Sequence, residues 1–270
     1  MMLKDKVVII TGATSGIGQA TAHEFGKAGA KIVITGRSRV KLDETLVSLQ
    51  REGIDCLAVL ADAASEQDNI RMAQEVMAQY GHIDILINNA GISMRALFED
   101  LELSVFKQVI DVNFYGTVYA TKYCLPYILA SKGSVVAVSS INGYRGTPAR
   151  TAYTASKYAI NGFMESLRTE VMKRGVNVMV ISPGFTTSNI RNNALTADGK
   201  SQGESPREES KMMSAEDVAK EIYSAVKRRK RQVVLTGEGK LAVFLNKWIP
   251  GIMDHVVYRH MAKEKDSPFK

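Results

Sequence analysis

The chain has 270 residues, of which 45% are hydrophobic and 23% are charged, as is usual for a globular protein with a sizeable core. These values exclude a disordered or collagen-like chain, and the length suits one large domain or two small ones. No apolar run approaches the roughly 18 residues of a membrane-spanning helix, and the first residues do not resemble a secretory signal.

The chain carries 35 basic and 28 acidic residues, a net charge of +7, which favours anionic partners in general. The densest basic run, residues 227–231, contains no aromatic residue and is typical of a solvated helix end, so we expect no nucleic-acid binding. Cys56 and Cys124 lie far apart in apolar runs and are predicted to be buried small hydrophobes. A reducing, cytoplasmic setting is therefore expected.

Seven short apolar runs recur along the chain and are continuous rather than alternating, which is typical of parallel strands buried on both faces. Segments with helical periodicity lie between them, without an internal linker. This alternation predicts a single doubly wound α/β domain over residues 1–270, with a mainly parallel seven-stranded sheet. The predicted strands are 7–10, 32–34, 56–60, 85–87, 135–138, 178–181 and 233–235, and the predicted helices are 16–28, 40–50, 66–79, 104–125, 152–173 and 215–227.

Two segments depart from this alternation. Residues 186–211 are polar, contain Gly199, Gly203 and Pro206, and show little periodicity. A loop of this length in a compact domain favours a substrate-covering lid that is mobile without ligand, with a disordered insertion as the alternative. Residues 238–270 form an apolar extension, predicted to pack on the domain or on a neighbouring subunit, with peripheral contact to a membrane surface as the other interpretation.

The first predicted strand runs into a turn in which Gly12, Gly16 and Gly18 are spaced G-x-x-x-G-x-G before a helix. Glycines at such a turn let backbone N–H groups approach a pyrophosphate, and the helix N-terminus adds partial positive charge. Tight turns also need glycine for their backbone conformation, so the motif suits a turn without a ligand as well. No G-K-[ST] ending follows, which excludes a nucleoside-triphosphate P-loop.

The second predicted strand ends at Gly36 and Arg37, where dinucleotide folds that bind NAD carry an acidic residue for the adenosine ribose. Gly36 leaves space there, and the guanidinium of Arg37 suits a 2′-phosphate. The pair therefore favours NADP(H) over NAD(H). A solvated surface arginine is the other interpretation of Arg37.

Tyr153 and Lys157 are four residues apart near the start of a predicted helix and therefore share a face. An ammonium near a phenol stabilises the phenolate and lowers its pKa from about 10, which allows acid–base chemistry near neutral pH. Because the same spacing also arises by chance in many helices, the pair needs further motifs to support it.

Such motifs follow the other predicted strands. In chain order the set is the turn at 11–18, Asn88-Asn89-Ala90-Gly91, Asn113, Ser139-Ser140, Tyr153 with Lys157, and Pro183-Gly184. This set resembles the classical short-chain dehydrogenase/reductase family over about residues 3–237, and residues 188–194 and the apolar tail resemble its hydroxysteroid-dehydrogenase-like branch. The resemblance implies a Rossmann-type fold and a homodimer or homotetramer, formed through the helices that carry Asn113 and Tyr153.

The resemblance also implies catalytic roles. Tyr153 would be the general acid and base at the substrate oxygen, and Ser140 would hydrogen-bond that oxygen, with Ser139 the less favoured candidate. Lys157 would hold the nicotinamide ribose and lower the pKa of Tyr153. Asn113 would anchor a water that relays protons through Lys157.

The cofactor site that the resemblance implies extends along the whole series of motifs. Asp62 and Ala63 would contact adenine, and residues 89–91 would lie beside the adenosine ribose. The nicotinamide carboxamide would be lined by Pro183, Gly184, Thr186 and Ser188. Ser15 stands where many NADPH-dependent members carry a basic residue, which leaves Arg37 as the main phosphate anchor. The implied cofactor residues are Gly12, Thr14, Ser15, Gly16, Ile17, Gly18, Arg37, Asp62, Ala63, Asn89, Ala90, Gly91, Tyr153, Lys157, Pro183, Gly184, Thr186 and Ser188.

The leading interpretation is an NADP(H)-dependent oxidoreductase that acts on an apolar carbonyl or secondary alcohol. The alternatives are a sugar-nucleotide epimerase or dehydratase and a catalytically silent nucleotide-binding regulator or scaffold. The four histidines form no metal-binding motif, so no metal is expected. The residues predicted to line the substrate pocket are Met94, Tyr144, Thr147, Pro148 and Phe185, and the histidines are His23, His82, His255 and His260.

Overall fold

The structure, a computed structural model, describes residues 3–187, 190–203, 212–264, 267 and 269. Within them, the seven strands are β1 (Val7–Ile10), β2 (Lys31–Gly36), β3 (Cys56–Leu60), β4 (Ile85–Asn88), β5 (Ser134–Val138), β6 (Asn177–Ser182) and β7 (Gln232–Val234). They form one sheet in the order β3-β2-β1-β4-β5-β6-β7, and all pairings between them are parallel. The predicted doubly wound α/β fold is confirmed.

The described residues also form helices on both sides of the sheet. They are α1 (Gly16–Lys27), α2 (Arg39–Arg51), α3 (Glu66–Tyr80), α4 (Leu103–Ile110), α5 (Gly116–Ser131), α6 (Thr151–Glu170), α7 (Ala215–Lys227), α8 (Gly237–Trp248) and α9 (Pro250–Ala262). The single helix predicted at 104–125 is instead α4 and α5, joined by a π-helical turn at Asp111–Tyr115. A π-turn of this kind commonly marks a functional position in a helix.

Two hydrophobic layers cover the sheet, because successive strand residues point to opposite faces. Val8 of β1 packs with residues of α1, α2 and α7, among them Phe25, whereas Val7 packs with residues of α3, α5 and α6. Strands buried on both faces explain the continuous apolar runs in the sequence. Cys124 is buried as predicted and Cys56 is half-buried, and burial raises the pKa of each thiol to about 12.

Both segments that depart from the alternation contact the rest of the domain. In the described part of 186–211, Leu195 forms bridges with Met94 and Ser201, while residues 188–189 and 204–211 lie outside the described residues. The extension forms α8 and α9, and Asn246 of α8 donates to the backbone oxygen of Tyr144 at 3.0 Å. Among the described helices, none has the length and hydropathy to cross a bilayer.

Candidate active site

A cavity of about 1370 Å³ extends from the turn after β1 to helix α9. It lies beyond the carboxyl ends of the strands, where the strand order reverses between β1 and β4, the usual place for a ligand in an open α/β sheet. Most of the predicted site residues line it together. They are Gly12, Thr14, Ser15, Gly16, Ile17, Arg37, Asp62, Ala63, Asn89, Ala90, Gly91, Ser140, Tyr153, Lys157, Pro183, Gly184 and Thr186.

Three predicted site residues stand apart from this set. Ser188 lies outside the described residues. Gly18 is not among the described residues that line the cavity, and a Cβ on it would collide with the Asn89 side chain and the Gly12 oxygen. Gly18 therefore permits close packing of α1 under the turn, and its predicted cofactor contact stays a prediction. Asn113 is fully buried beneath the cavity.

The turn between β1 and α1 brings backbone atoms to the cavity surface. Gly12 and Gly16 have φ angles of +63° and +54°, in the region that favours glycine. A Cβ on Gly12 would lie 2.8 Å from the Cα of Ala90, so the close approach of the two loops requires glycine. Asn89 Nδ2 donates to the backbone oxygens of Thr11 and Gly12, both at 3.0 Å, and thereby fixes the turn to the end of β4.

The N-terminus of α1 suits a phosphate group. Ser38 and Ser65 cap α2 and α3 through side-chain hydrogen bonds, whereas Ser15 at the start of α1 makes no such bond. The first N–H groups of a helix need a partner, and an anion at this position satisfies them and interacts favourably with the helix dipole. Because Ser15, Gly16 and Ile17 line the cavity, the residues at this end fit the pyrophosphate of a dinucleotide.

The end of the cavity beyond the N-terminus of α1, which we call the nucleotide end, is basic. Arg37 and Lys41 line it together with Ser38, whose Oγ accepts from the Lys41 backbone N–H at 3.4 Å. The sequence analysis overlooked Lys41, although its position four residues after Arg37, at the start of a helix, would have indicated it. Gly36 contacts Thr14 closely, because a Cβ on Gly36 would lie 2.6 Å from Thr14 Cγ2.

Tyr153 of α6 and Ser140, in the turn after β5, meet at the opposite end. Burial raises the pKa of Tyr153 above its usual value, while a hydrogen bond with the Ser140 side chain and the positive charge of Arg150 act in the opposite direction. Ser140 Oγ also accepts from the Asn142 backbone N–H at 3.2 Å, which orients the hydroxyl. The pair therefore presents a protonated phenol and a hydroxyl to the same part of the cavity.

Lys157 lies one helical turn after Tyr153. Its Nζ donates to the Val138 oxygen at 2.9 Å and lies 5.6 Å from the centre of the Tyr153 ring. Burial lowers the pKa of Lys157 to about 8. The groups that act to lower the pKa of Tyr153 against its burial are Ser140 and Arg150, and the predicted effect of Lys157 on that pKa stays a prediction.

Asn113 occupies the π-helical turn between α4 and α5. Its Oδ1 accepts from the Ile92 backbone N–H at 2.8 Å, and its Nδ2 donates to the Ile92 oxygen at 3.0 Å and to Ser156 Oγ at 2.9 Å. A Cβ on Gly91 would lie 3.2 Å from Asn113 Oδ1 and 3.7 Å from Lys157 Nζ, so these two side chains approach the same point. Asn113 thus joins the end of β4 to the helix that carries Tyr153.

The substrate end differs from the prediction. Thr147 and Phe185 line the cavity, but Met94, Tyr144 and Pro148 are not among the described residues that do. Met94 is fully buried in a cluster with residues of α4. Tyr144 instead contacts the C-terminal extension, because its backbone oxygen accepts from Asn246 Nδ2 at 3.0 Å.

Helix α9 supplies apolar residues that the sequence analysis did not place here. They are Met253, Val256, Val257 and Met261. Their successive spacings of three, one and four residues indicate one helical face, but they do not show which surface that face covers. The extension therefore forms a wall of the substrate end.

Two arginines join this wall to the rest of the domain. Arg145 donates to Asn246 Oδ1 at 3.1 Å and to Asp254 Oδ1 at 2.7 Å. Arg95 pairs with Glu264 at 3.4 Å, and both side chains are buried. Among the described residues, no three His, Cys, Asp or Glu side chains come together as candidate metal ligands.

An all-parallel doubly wound sheet with a glycine-rich turn at its switch point defines a nucleotide-binding α/β protein. A sequence model of the short chain dehydrogenase family matches residues 6–199, and the chain belongs to that family of oxidoreductases. The chain is 37% identical to the dehydrogenase/reductase SDR family member 7B of Mus musculus, over 98% of this chain and 84% of that protein.

Solved structures share the fold. A short chain dehydrogenase/reductase from Burkholderia phymatum in complex with NAD superposes with a TM-score of 0.84 at 22% identity, covering 93% of this chain and 96% of that one. An alcohol dehydrogenase from Thermococcus sibiricus complexed with 5-hydroxy-NADP gives 0.75 at 21% identity, over 86% and 96% of the two chains. The sequence model and the Mus musculus relative confirm the predicted short-chain dehydrogenase/reductase family, and these two structures confirm the fold.

Proposed function

We propose that this protein is an NADP(H)-dependent oxidoreductase that interconverts an apolar carbonyl compound and its secondary alcohol. The observation that carries the proposal is the meeting of Tyr153, Ser140 and Lys157 at one end of a cavity whose other end holds the α1 N-terminus and Arg37. Hydride transfer to a carbonyl requires a proton donor and a dinucleotide-binding surface in one cavity.

When bound, the nicotinamide supplies or accepts the hydride. In the direction of reduction, the Tyr153 hydroxyl gives its proton to the substrate oxygen, which Ser140 holds by a hydrogen bond. Because burial raises the pKa of Tyr153, the phenol carries its proton at neutral pH. Lys157 binds the nicotinamide ribose hydroxyls with its ammonium, and Asn113 supports a proton-relaying water beside it.

Two cations support the preference for NADP(H). Arg37 and Lys41 both line the end of the cavity next to Gly36, and no acidic side chain occupies position 36 or 37. A carboxylate there would repel a 2′-phosphate, whereas a guanidinium and an ammonium attract it. Asp62 and Ala63 contact the adenine. The nicotinamide carboxamide is lined by Pro183, Gly184 and Thr186.

The substrate class follows from the wall that α9 provides. Phe185, Met253, Val256 and Val257 are apolar and line the substrate end. A site lined in this way binds a ligand mainly by removing apolar surface from water. A hydrophobic ketone or secondary alcohol, as in the hydroxysteroid-dehydrogenase-like branch, therefore suits it better than a multiply charged acid.

The proposal includes the assembly and the location of the protein. We expect a homodimer or homotetramer formed through α5 and α6, and a cytoplasmic enzyme. Sedimentation of the purified protein tests the first, and fractionation of cells tests the second.

A panel of ketones and secondary alcohols, graded in apolar size, tests the activity. Each is mixed with the enzyme and NADPH or NADP⁺, in parallel with NADH or NAD⁺, and the change in nicotinamide absorbance is followed. We expect turnover with apolar members and the phosphorylated cofactor. Tight binding of NADPH without turnover of any member would instead support a nucleotide-binding regulator.

A further inference from the structure

The two C-terminal helices expose an unusual amount of apolar side chain. Trp248, the only tryptophan of the chain, is 67% exposed, and Phe244 and Ile252 are each 60% exposed. The exposed apolar residues of α8 are spaced three and four apart, so they form a stripe along the helix. The same spacing starts at the residue before α9 and gives that helix a second stripe. We call this set the C-terminal apolar face: Leu241, Phe244, Trp248, Ile249, Ile252 and Val256.

The two stripes meet where the helices join, because Trp248 and Ile249 are consecutive. The face is also continuous with the substrate end of the cavity. Val256 is half-exposed and at the same time lines the cavity, and its neighbour Val257 lines the cavity as well. An apolar surface of this kind next to a binding cavity is typical of a docking site rather than of an ordinary solvated face.

Most of the charges around the face are basic, and the exposed acidic residues of the two helices are Glu238 and Asp254. Lys240, Lys247 and Arg259 are exposed on the same two helices, and Lys247 Nζ lies 5.8 Å from the centre of a Trp248 ring. Asp254 of α9 is already engaged by Arg145. The face therefore combines apolar side chains, an indole and cations, which is the composition that binds the interface of an anionic bilayer.

We propose that the C-terminal apolar face docks on the surface of an anionic lipid bilayer, with the substrate end of the cavity adjacent to the lipid. Tryptophan favours the membrane–water interface, and lysine and arginine favour anionic headgroups. A second copy of the chain would have to bury the three cations together with the apolar stripes, which makes it the less suitable occupant.

The single tryptophan makes the proposal directly measurable. The wild-type protein is mixed with vesicles of phosphatidylcholine containing phosphatidylserine, and with vesicles of phosphatidylcholine alone. With the anionic vesicles we expect the Trp248 emission to shift to shorter wavelength, to be quenched by brominated lipid, and to report weaker binding as salt screens the headgroup charge. The measurement needs no turnover, so it is independent of the proposed function.

Two variants that keep Trp248 identify the surface. Phe244→Ser with Ile252→Ser should weaken partitioning into anionic vesicles at least about tenfold, and Lys240→Glu with Arg259→Glu should remove most of the preference for anionic lipid. Met172→Ser is the matched control, because Met172 is also 67% exposed but lies after α6. It should bind vesicles like the wild type, and unchanged circular dichroism should show that all variants fold.

Each other outcome contradicts the proposal. An emission spectrum that vesicles leave unchanged would show that the face does not enter lipid. Equal weakening by Met172→Ser would show that the binding is unspecific. A spectrum that shifts with protein concentration alone, with a matching increase in sedimenting mass, would show that a second copy covers the face.

Discussion

The two ends of the cavity are built in different ways. At the nucleotide end, short segments close in sequence supply the surface: the turn after β1, the N-terminus of α1 and the first residues of α2. At the substrate end, the wall comes from α8 and α9, and Arg145 and Arg95 join it to the domain through Asp254 and Glu264.

This difference indicates how the two ends respond to mutation. Backbone groups and a glycine at a close approach form much of the nucleotide end, and the Asn89 side chain that fixes its turn lies at the same end. This end therefore depends little on the side chains of the substrate wall. Side chains that are 109 and 169 residues apart in sequence hold the substrate wall. Loss of one of these contacts should therefore alter substrate binding without altering cofactor binding.

The largest effect is expected at the end of the cavity where Tyr153 and Ser140 meet. Tyr153→Phe keeps the ring but removes the proton that the substrate oxygen receives, so kcat should fall by about 10²- to 10⁴-fold while the Kd for NADPH stays nearly unchanged. Tyr158→Phe is the control, because Tyr158 is on the same helix but is exposed. A loss below about threefold in the Tyr153 variant would contradict the assignment.

The nucleotide end can be tested at its basic residues. Arg37→Ala should weaken NADPH binding about tenfold and leave NADH binding nearly unchanged, because only NADPH carries the 2′-phosphate. Lys41→Ala should act in the same direction with a smaller effect. Calorimetric titration measures both. Arg39→Ala is the control, since Arg39 is exposed and pairs with Asp43 at 3.0 Å.

Single substitutions of Arg37 and Lys41 are the cleaner test, because Gly36→Asp would disturb more than charge. Any side chain at position 36 would approach Thr14 Cγ2, so a change in affinity could come from steric displacement. Tighter binding of NADH than of NADPH by the wild type would contradict the proposed preference, and Arg37 would then be an ordinary solvated arginine.

Lys157 predicts a pH dependence of cofactor binding. Its pKa is lowered to about 8 by burial, so the ammonium is present below this pH and lost above it. The affinity for NADPH should consequently fall by about tenfold between pH 7 and pH 9, and Lys157→Met should bind weakly without this decline. A wild-type Kd that stays constant over this range would exclude the ammonium from cofactor binding.

The smallest expected effect is also the sharpest test of the comparison. Arg145→Met removes the hydrogen bonds to Asn246 and Asp254. Because Asp254 is exposed, we expect the substrate wall to lose only about 1 kcal/mol of stabilisation. The KM for an apolar substrate should rise about fivefold, while the Kd for NADPH stays unchanged. Arg174→Met, at an exposed arginine after α6, is the control. An equal loss of NADPH binding would show that the two ends are not independent.

Much of the fold and of the candidate site could be predicted from the sequence, because local sequence patterns indicate them. Continuous apolar runs predicted every strand, since a residue such as Ile9 is buried whatever helix covers it. The turn at Gly12 and the spacing of Tyr153 and Lys157 follow from backbone conformation and helical period, and these need no knowledge of distant contacts.

The tertiary structure alone decided what covers the substrate end. The apolar period of α9 shows that Val257 lies on one helical face, but not that this face lines the same cavity as Phe185. In the same way, the sequence does not show that Asn246 of α8 donates to the Tyr144 backbone oxygen. Helical or strand period selects a face of an element, whereas the partner of that face depends on how distant segments pack, as the pairing of Arg95 with Glu264 shows.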